Sequence, residues 1–411
     1  MKYFIKWSLF SIVFGIFIGG TGTAFAFGVN AATAFWTGHS YALFLLPFSG
    51  LFIVWFYHLM KADKPRGTNL VIDSISEGED ITIKMAPLIF VSTIMTHIGG
   101  GSSGREGAAL QLGGSLGNLL AKIARLDKKE RNIAIMCGMS ACFAAVFGTP
   151  LAAAVFSMEV ISIGIMHYSA LIPSVFSAYI AAAVSKQAGL HPEQFILAQA
   201  PAWNLKNALL IILLGIFCSF LSSLFCMMLH KSEEIYKKIF PNPYLRILAA
   251  SAIFIALTLL LGTNDYRGGG FPLVERCMEG QVRYEAFILK MFFTALLLGA
   301  GFKGGEIVPT FTVGAAFGCA FGILSGLSPQ LCTACGMAAC FVGVTNCPIS
   351  SVFIAIELFG LSGLPYYVIV IAVSFCLSGY HGLYSAQKFT YSKTKPEYIN
   401  VKAIHLHKSQ E

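Results

Sequence analysis

Charged residues are scarce in this chain of 411 residues. Asp, Glu, Lys and Arg make up 12% of it, whereas about a quarter of the residues in soluble domains are charged. So few charges cannot cover a soluble globule of this size, and a water-soluble fold is excluded. Apolar runs without a charged residue occupy 7–60, 160–185, 207–230, 247–264, 307–356 and 358–387. Since roughly 20 apolar residues cross a bilayer, the pattern predicts an all-α polytopic membrane protein.

Metal-binding and catalytic patterns are also sparse. The 11 cysteines are scattered through apolar runs beside small residues, which indicates core packing and not disulfides. Cys332 and Cys335 have the CxxC spacing, but the second ligand pair of a metal site is missing, so we expect no metal and no cofactor. His97 precedes Ser102 and Ser103, and this is the only sequence feature that suggests an intramembrane enzyme. No matching acid or second nucleophilic signature accompanies them, and we expect a protein that is not an enzyme.

Basic residues outnumber acidic ones, 28 to 20, but they lie in short loops and at the ends, where membrane topology explains them and nucleic-acid binding does not. Lys2 and Lys6 precede the first apolar run, residues 30–39 contain no Lys or Arg, and three basic residues lie within 61–66. The positive-inside rule then places the N-terminus and the 61–66 loop in the cytoplasm. The lysine-rich segment 391–411 is expected on the same side, and it is too short for a folded regulatory domain.

The chain contains an internal repeat. Residues 137–160 match residues 335–358 at an offset of 198, with nine of 24 positions identical, including a shared Pro and a shared Glu. Upstream, four glycines of the 100–117 stretch align with four glycines of 301–318 at an offset of 201. The repeat predicts a duplicated bundle with one transmembrane half in 1–200, a second in 201–390 and the short tail in 391–411. The repeat alone does not decide whether the halves run parallel or inverted.

Each half carries a Gly-rich break in its apolar pattern. Residues 99–104 interrupt the first half and open a helix near Arg105–Gly107; residues 301–306 do the same in the second half, with Pro309 in the first helical turn. Irregular backbone at membrane depth must be buried in protein or line a wet cavity. Because a helix N-terminus has free N–H groups and a positive dipole end, it attracts anions. Two such ends can bracket one small anion near the bilayer midplane, as in transporters.

A third break occurs at 63–71. It carries Pro65 and Gly67, followed by Thr68 and Asn69, which offer a hydroxyl and an amide donor. An ordinary cytoplasmic loop with a helix N-cap explains the same residues, so the sequence by itself leaves both interpretations open.

Four glutamates lie in or after the breaks. A carboxylate at Glu106 would occupy the positive helix end as an anion and would leave it when protonated, so it could couple anion occupancy to protonation. The alternative is a structural ion pair with Arg105 or a distant Lys. Glu306 aligns opposite Arg105, so a salt bridge between the repeats is its main alternative. Glu159 and Glu357 match each other at the far ends of the repeat helices, which favours a scaffold role.

Four ordered motifs carry a family resemblance. They are Gly104-Arg105-Glu106-Gly107, Gly304-Gly305-Glu306-Ile307-Val308-Pro309, Gly67-Thr68-Asn69-Leu70-Val71, and Tyr384 near the C-terminal end. The first resembles the GREG motif of the CLC family of anion channels and anion/proton antiporters, whose glutamate is the external gate. The second is similar to the GxFxP segment, the third stands in the place of GSGIP, and Tyr384 stands where the family has its anion-coordinating tyrosine.

The departures from the family pattern narrow the resemblance. Thr68 replaces the central serine of GSGIP and Asn69 the glycine after it, while Ala108 follows the GREG motif where chloride-type members have Pro. Val160 stands where chloride/proton antiporters have their internal proton-transfer glutamate. This combination resembles the fluoride-exporting branch of the family.

The resemblance implies a CLC-type fold of two inverted-repeat halves with short, broken helices, in a homodimer in the cell inner membrane. It implies export of cytoplasmic fluoride in exchange for inward protons, with Glu106 as the protonatable gate and Glu306 either a proton carrier or an ion-pair partner. The implied anion ligands are the side chains of Thr68, Asn69 and Tyr384 and the backbone N–H groups of Gly107 and Ile307. A chloride/proton antiporter and a passive anion channel of the same fold remain the alternatives.

Overall fold

The computed structural model describes residues 1–63, 65–197 and 199–403. Lys64 of the basic loop and residues 404–411 of the predicted tail therefore lie outside the described residues. The helices are α1 Lys2–Gly38, α2 Leu46–Leu59, α3 Thr68–Ser76, α4 Met85–Ile98, α5 Glu106–Ile123, α6 Lys128–Phe147, α7 Pro150–Glu159, α8 Leu171–Gln187, α9 Leu205–Ile239, α10 Pro243–Leu261, α11 Phe271–Met278, α12 Ala286–Ala300, α13 Ile307–Ser325, α14 Pro329–Thr345, α15 Pro348–Phe359 and α16 Leu364–Leu377. The strands are β1 Ser162–Ile163, β2 Lys388–Tyr391 and β3 Tyr398–Lys402.

Helices dominate the described chain. Seven helical segments in it are long and apolar enough to cross a membrane, and two of them include a 3₁₀ segment before α2 or α8. Others, such as α7 and α3, are too short to do so alone, at 10 and 9 residues. The prediction of an all-α polytopic membrane protein with short, broken helices is confirmed. The three strands form one small sheet in the order β1-β2-β3. Because β1 follows α7 and pairs with β2, the sheet holds the segment after α16 against the end of α7.

The sixteen helices of the described residues fall into two series of eight with matching lengths. The long helix α1 has 37 residues and its counterpart α9 has 35, and α5 and α13 have 18 and 19. Local sequence explains the matching ends. Pro150 and Pro348 each lie in the first turn of α7 and α15, where a missing N–H costs nothing. The preceding helices each end in a left-handed residue, Gly148 and Asn346, which terminates a helix readily.

Close helix packing recurs in both series. A Cβ on Gly113 would overlap the carbonyl oxygen of Gly138 where α5 crosses α6, and a Cβ on Gly314 would overlap that of Gly336 where α13 crosses α14. Small residues at such crossings let backbones approach without a hydrophobic driving force, which lipid does not supply.

The two series meet through equivalent segments that run antiparallel. Gly104 and Gly305 form an isolated antiparallel bridge, with both N–H to O distances at 2.7 Å. Glu357 accepts hydrogen bonds from the backbone of α7, and Glu159 accepts them from α15. Equivalent parts that exchange the same contacts are related by a two-fold pseudo-symmetry, which is a property that inverted-repeat transporters have.

Candidate functional site

The bridge between Gly104 and Gly305 brings the starts of α5 and α13 together. A Cβ on Gly305 would lie 2.6 Å from the backbone nitrogen of Gly107, so only glycine allows this approach. Gly107 and Ile307 occupy the first turns of their helices, where backbone N–H groups have no partner within the helix. The two positive helix ends therefore face a shared region of buried protein.

The carboxyl group of Glu106 lies at the start of α5 and is fully buried. Its Oε2 accepts the backbone N–H of Arg105 at 3.0 Å, while its Oε1 has no hydrogen-bond partner among the described residues. The Nε of Arg105 lies 3.6 Å from Oε1, but the rest of that guanidinium binds Asn30 and Glu193. The ion pair weighed as an alternative for Glu106 is thus present but loose, and one carboxylate oxygen remains unsatisfied.

Glu306 immediately precedes α13 and approaches the same region from the second half. Its Oε2 lies 3.1 Å from where a Cβ on Gly107 would be, and that oxygen is buried without a hydrogen-bond partner in the described chain. Within those residues Glu306 has no cation within 4 Å, and Arg105 pairs with Glu106 and Glu193 instead. The structure therefore does not contain the inter-repeat salt bridge that was the main alternative for Glu306.

The third break lies against the start of α5. The hydroxyl of Thr68 donates to the carbonyl of Gly107 at 3.5 Å and accepts from Gln111 at 3.2 Å. The residue that caps α3 is Gly67, which has no side chain to cap with, so a plain side-chain N-cap does not account for this loop. Asn69 uses its Oδ1 to accept the backbone N–H of Ala386 at 3.0 Å, which leaves its NH₂ group as the donor.

Tyr384 is 2% exposed and its hydroxyl has no hydrogen-bond partner among the described residues. Leu383 donates to the carbonyl of Val344 at 2.9 Å, and Gln387 donates to the carbonyls of Val160 and Thr345 at 3.0 and 2.9 Å. The segment is held tightly while the phenol is left unsatisfied, within electrostatic range of Glu306. The hydroxyl of Tyr384 is therefore a buried donor that is available to an anion.

Glu159 and Glu357 do not reach this region. Glu159 accepts from the backbone N–H groups of Ile349 and Ser350, and Glu357 from those of Leu151 and Ala152, at 2.8–3.0 Å. Each carboxylate therefore satisfies the start of a helix in the opposite half, which is a structural task.

A cavity of about 490 Å³ leads to Glu106. Its walls are the end of α1, the 264–272 segment and the first break, with Arg105, Arg267 and Glu193 among the charged residues that line it. His97 also lines it, but its Nδ1 lies 2.8 Å from the carbonyl oxygen of Thr93, and Ser102 pairs with Thr294. No hydrogen bond in the described residues joins the ring of His97 to the hydroxyl of Ser102 or Ser103, so they do not form a nucleophile–base pair.

Sequence reasoning missed two cations beside this cavity, Lys290 and Arg267. Both are almost completely buried, and both contact the segments that wall the cavity. A lysine within an otherwise apolar helix was the available signal for Lys290, since ionisable residues inside a membrane are commonly functional. Arg267 precedes three consecutive glycines. This further break in the apolar pattern was the available signal for Arg267.

Comparison with known proteins shows several similarities. A family model described as voltage gated chloride channel matches residues 49–379. The chain is 32% identical over 400 residues to a chloride/fluoride channel protein of Pseudomonas syringae pv. tomato, covering 96% of this chain and 88% of that protein. It is 26% identical over 270 residues to the H(+)/Cl(-) exchange transporter ClcA of Vibrio cholerae, covering 62% of this chain and 58% of that one.

Solved structures match over almost the whole chain. The crystal structure of a CLC-type fluoride/proton antiporter superimposes with a TM-score of 0.90 at 33% identity, covering 93% of this chain and 98% of that chain. A slow cyanobacterial Cl-/H+ antiporter gives a TM-score of 0.78 at 19% identity, with 91% and 94% covered, which is a likeness of fold alone.

Proposed function

The chain belongs to the voltage-gated chloride channel family, and we propose that within it the protein exports cytoplasmic fluoride in exchange for inward protons. The observation that carries the proposal is the carboxyl of Glu106, buried at the positive start of α5 with one oxygen unsatisfied. Two proteins 32% and 33% identical to the chain, described as a chloride/fluoride channel protein and a fluoride/proton antiporter, support the substrate and the mode.

In the proposed mechanism, Glu106 and fluoride take turns at the start of α5. The ionised carboxylate is stabilised there by the helix end and so competes with a free anion. Protonation removes its charge, the side chain leaves, and fluoride enters. Each cycle thereby moves a proton inward and a fluoride ion outward, so an inward proton gradient drives fluoride out.

Fluoride is small and strongly hydrated, so its dehydration requires several well-placed donors. The proposed set comprises the Asn69 amide, the Tyr384 hydroxyl, the N–H groups of Gly107 and Ile307 and the Thr68 hydroxyl. The Thr68 hydroxyl donates to the carbonyl of Gly107 in this structure and would turn to fluoride when the anion is bound. Among the described residues the Tyr384 hydroxyl has no hydrogen-bond partner, and the side-chain oxygen of Asn69 is bonded while its NH₂ group is not, which supports both as donors to the anion.

Glu306 is the proposed proton carrier on the other side of the anion. Its buried carboxyl has no ion-pair partner in the described chain and lies near Gly107 and Tyr384, so it is free to accept and release a proton. Glu306 would take the role of the internal proton-transfer glutamate of chloride/proton antiporters, because this chain has Val160 at that position.

The proposed setting is the cell inner membrane, with both termini cytoplasmic and two copies forming a homodimer. Since the start of α1 is then inside, its end at Trp36 is outside, and the cavity that reaches Glu106 opens outward. Exposed apolar side chains on α8, namely Leu171, Phe176 and Tyr179, are compatible with a second copy. The halves 1–200 and 201–390 act as the two sides of the transport site, with 391–411 as a short inner tail.

Efflux of fluoride and of chloride from one preparation of proteoliposomes tests the substrate. We expect fluoride efflux to be much faster and to be accompanied by proton uptake. Equal rates for the two anions would assign the chain to chloride/proton exchange, and fluoride efflux without proton movement would identify a passive channel.

A further inference from the structure

The guanidinium of Arg105 lies between the carboxyl of Glu106 and the cavity that reaches it. Its two terminal nitrogens bond residues that line the cavity: Nη1 donates to the side-chain oxygen of Asn30, and Nη2 donates to a carboxylate oxygen of Glu193 at 3.1 Å. Its Nε lies 3.6 Å from Oε1 of Glu106 and has no hydrogen-bond partner among the described residues. Within those residues Arg105 is also the one basic side chain within 4 Å of the Glu106 carboxyl.

Glu193 is held in place in the segment between α8 and α9. The backbone N–H groups of Phe195 and Leu197 donate to the carbonyls of Leu358 and Phe359 at 2.8 and 3.0 Å, which ties this segment to the end of α15. The side chain of Glu193 is 30% exposed and lines the cavity. Since a guanidinium at hydrogen-bond distance favours the ionised form of a carboxyl, Glu193 is a fixed negative charge at the cavity wall.

Two carboxyl groups therefore compete for one guanidinium. A positive charge within about 4–6 Å favours the ionised form of a carboxyl, so Arg105 stabilises Glu106 as an anion at the start of α5. The negative charge of Glu193 on the same guanidinium offsets part of this effect, and its hydrogen bond holds the terminal nitrogens toward the cavity. Glu193 thereby makes the ionised gate less stable, and protonation of Glu106 becomes easier.

Other charged and titratable side chains also surround Arg105 and Glu106. They come from α4, α11, α12 and the segments before α11 and α13, and they are His97, Asp265, Arg267, Glu275, Lys290 and Glu306. None of them forms a hydrogen bond or an ion pair with Arg105 or Glu106 in the part of the chain that the structure describes. They contribute equally in the wild type and in variants of Glu193, so they do not change the difference between them.

We propose that Glu193 is a positioning residue that shares Arg105 with the gate and so sets the external pH at which Glu106 is protonated and fluoride leaves. This inference rests on the proposed exchange of fluoride for protons. It assigns the pH range of transport to a residue that lies outside the four family motifs and outside the stretches that match between the two halves.

The test measures the initial rate of fluoride efflux from proteoliposomes against external pH, with the internal pH fixed and one protein orientation inactivated. The wild-type rate should rise as the external pH falls through the value at which Glu106 is protonated. Glu193→Gln should move the half-maximal pH down by about 0.5–1 unit, the scale of removing one nearby charge, because the released guanidinium then stabilises the Glu106 carboxylate. The maximal rate at low pH should stay near that of the wild type, since the anion ligands are unchanged.

Asn30→Asp tests the same guanidinium through its other terminal nitrogen. Asn30 is exposed on α1, and the substitution gives Arg105 a second carboxylate outside the gate. The half-maximal pH should therefore move up, opposite to the shift in Glu193→Gln. Glu275→Gln is the matched control, because it removes the same charge from an exposed residue of the same cavity that has no bond to Arg105. Its pH curve should stay close to that of the wild type.

A wild-type pH curve in Glu193→Gln would overturn the proposal. An equal shift in Glu275→Gln would overturn it too, since the effect would then belong to the overall charge of the cavity and not to the sharing of Arg105. If Glu193→Gln does not fold, Asn30→Asp decides, and a curve there that is unchanged or moves down would overturn the proposal equally. A wild-type protein without exchange, or without any dependence on external pH, would instead count against the proposed function.

Discussion

Three of the buried polar atoms that lack a hydrogen-bond partner among the described residues belong to residues of the proposed site. They are Oε1 of Glu106, Oε2 of Glu306 and the hydroxyl of Tyr384. Each costs folding free energy while it is unsatisfied, on the order of 1–3 kcal/mol in protein interiors. Their occurrence in one region is explained if an ion and a proton complete the bonds during transport.

Replacement of Glu106 by Gln should uncouple transport. The amide resembles the protonated gate and cannot ionise, so fluoride should still cross the membrane while proton movement falls to the background of empty liposomes. Parallel recordings with a fluoride electrode and a pH indicator check this. Exposed Glu234→Gln serves as the control for the same chemical change and should keep the wild-type ratio. Proton antiport at the wild-type ratio in Glu106→Gln would show that another group is the gate.

Replacement of Glu306 by Gln separates a proton carrier from a structural residue. Since Glu306 has no ion pair in the described chain, we expect this variant to fold and to elute as the wild type does on size exclusion. Its proton flux should fall roughly tenfold or more, as when a positioned proton-transfer group is removed. Glu279→Gln, exposed before α12, is the control. Aggregated protein, or folded protein with wild-type proton flux, would each speak against the carrier role.

The helix crossings carry the architecture at the scale of elements. The repeat predicted equivalent breaks at an offset of 201, and the structure has them at the starts of α5 and α13. Sequence spacing could not show that these starts bridge antiparallel through Gly104 and Gly305, because both partners are glycines without a side chain to signal a contact. It also could not show that Glu159 of the first half binds the start of α15 and that Glu357 of the second half binds the start of α7.

A methyl group at the crossing of α13 and α14 should be destabilising. Gly314→Ala places a Cβ against the backbone carbonyl of Gly336, so the helices must separate, at a cost of about 1–3 kcal/mol. Thermal unfolding of the purified protein in detergent should show a lower midpoint. Gly20→Ala, also inside a helix but with nothing within 4 Å of the added Cβ, should be neutral or slightly stabilising. An unchanged midpoint for Gly314→Ala would mean that the crossing is looser than described.

The C-terminal hairpin should loosen in acid. Lys402 of β3 bonds Glu77 at 2.8 Å and Asp73 at 2.9 Å, and its hydrogen bond and charge hold the pKa of the Glu77 carboxyl below its ordinary value of 4.5. A carboxyl with a lowered pKa stabilises the docked state above pH 4.5, and this contribution is lost as the pH falls through the lowered value. Hydrogen exchange of residues 398–402, corrected for intrinsic rates, should therefore rise below pH 4.5.

Lys402→Ala should remove that pH dependence, whereas exposed Lys395→Ala should keep it. Protection of β3 that stays constant down to pH 3 in the wild type would contradict a stabilising role for the Glu77 contact.

At the scale of the whole molecule, composition and repeats predicted the class of fold, because scarce charge and long apolar runs are global properties. Three of the residues named for the site lie close together, since Thr68 bonds the carbonyl of Gly107 and the carboxyl of Glu306 lies beside Gly107. What sequence could not give was the burial of Lys290 and Arg267 beside the cavity. Those positions depend on how distant parts of the chain meet, and neither residue lies in the stretches of the two halves that match in sequence.

Fluoride-driven proton movement in proteoliposomes tests the central claim most directly. A fluoride gradient is imposed in the absence of a proton gradient, and the internal pH is followed with the membrane potential clamped. The account predicts sustained uphill proton movement opposite to fluoride in the wild type and none in Glu106→Gln. Dissipation of the fluoride gradient by the wild-type protein without any change in internal pH would contradict it.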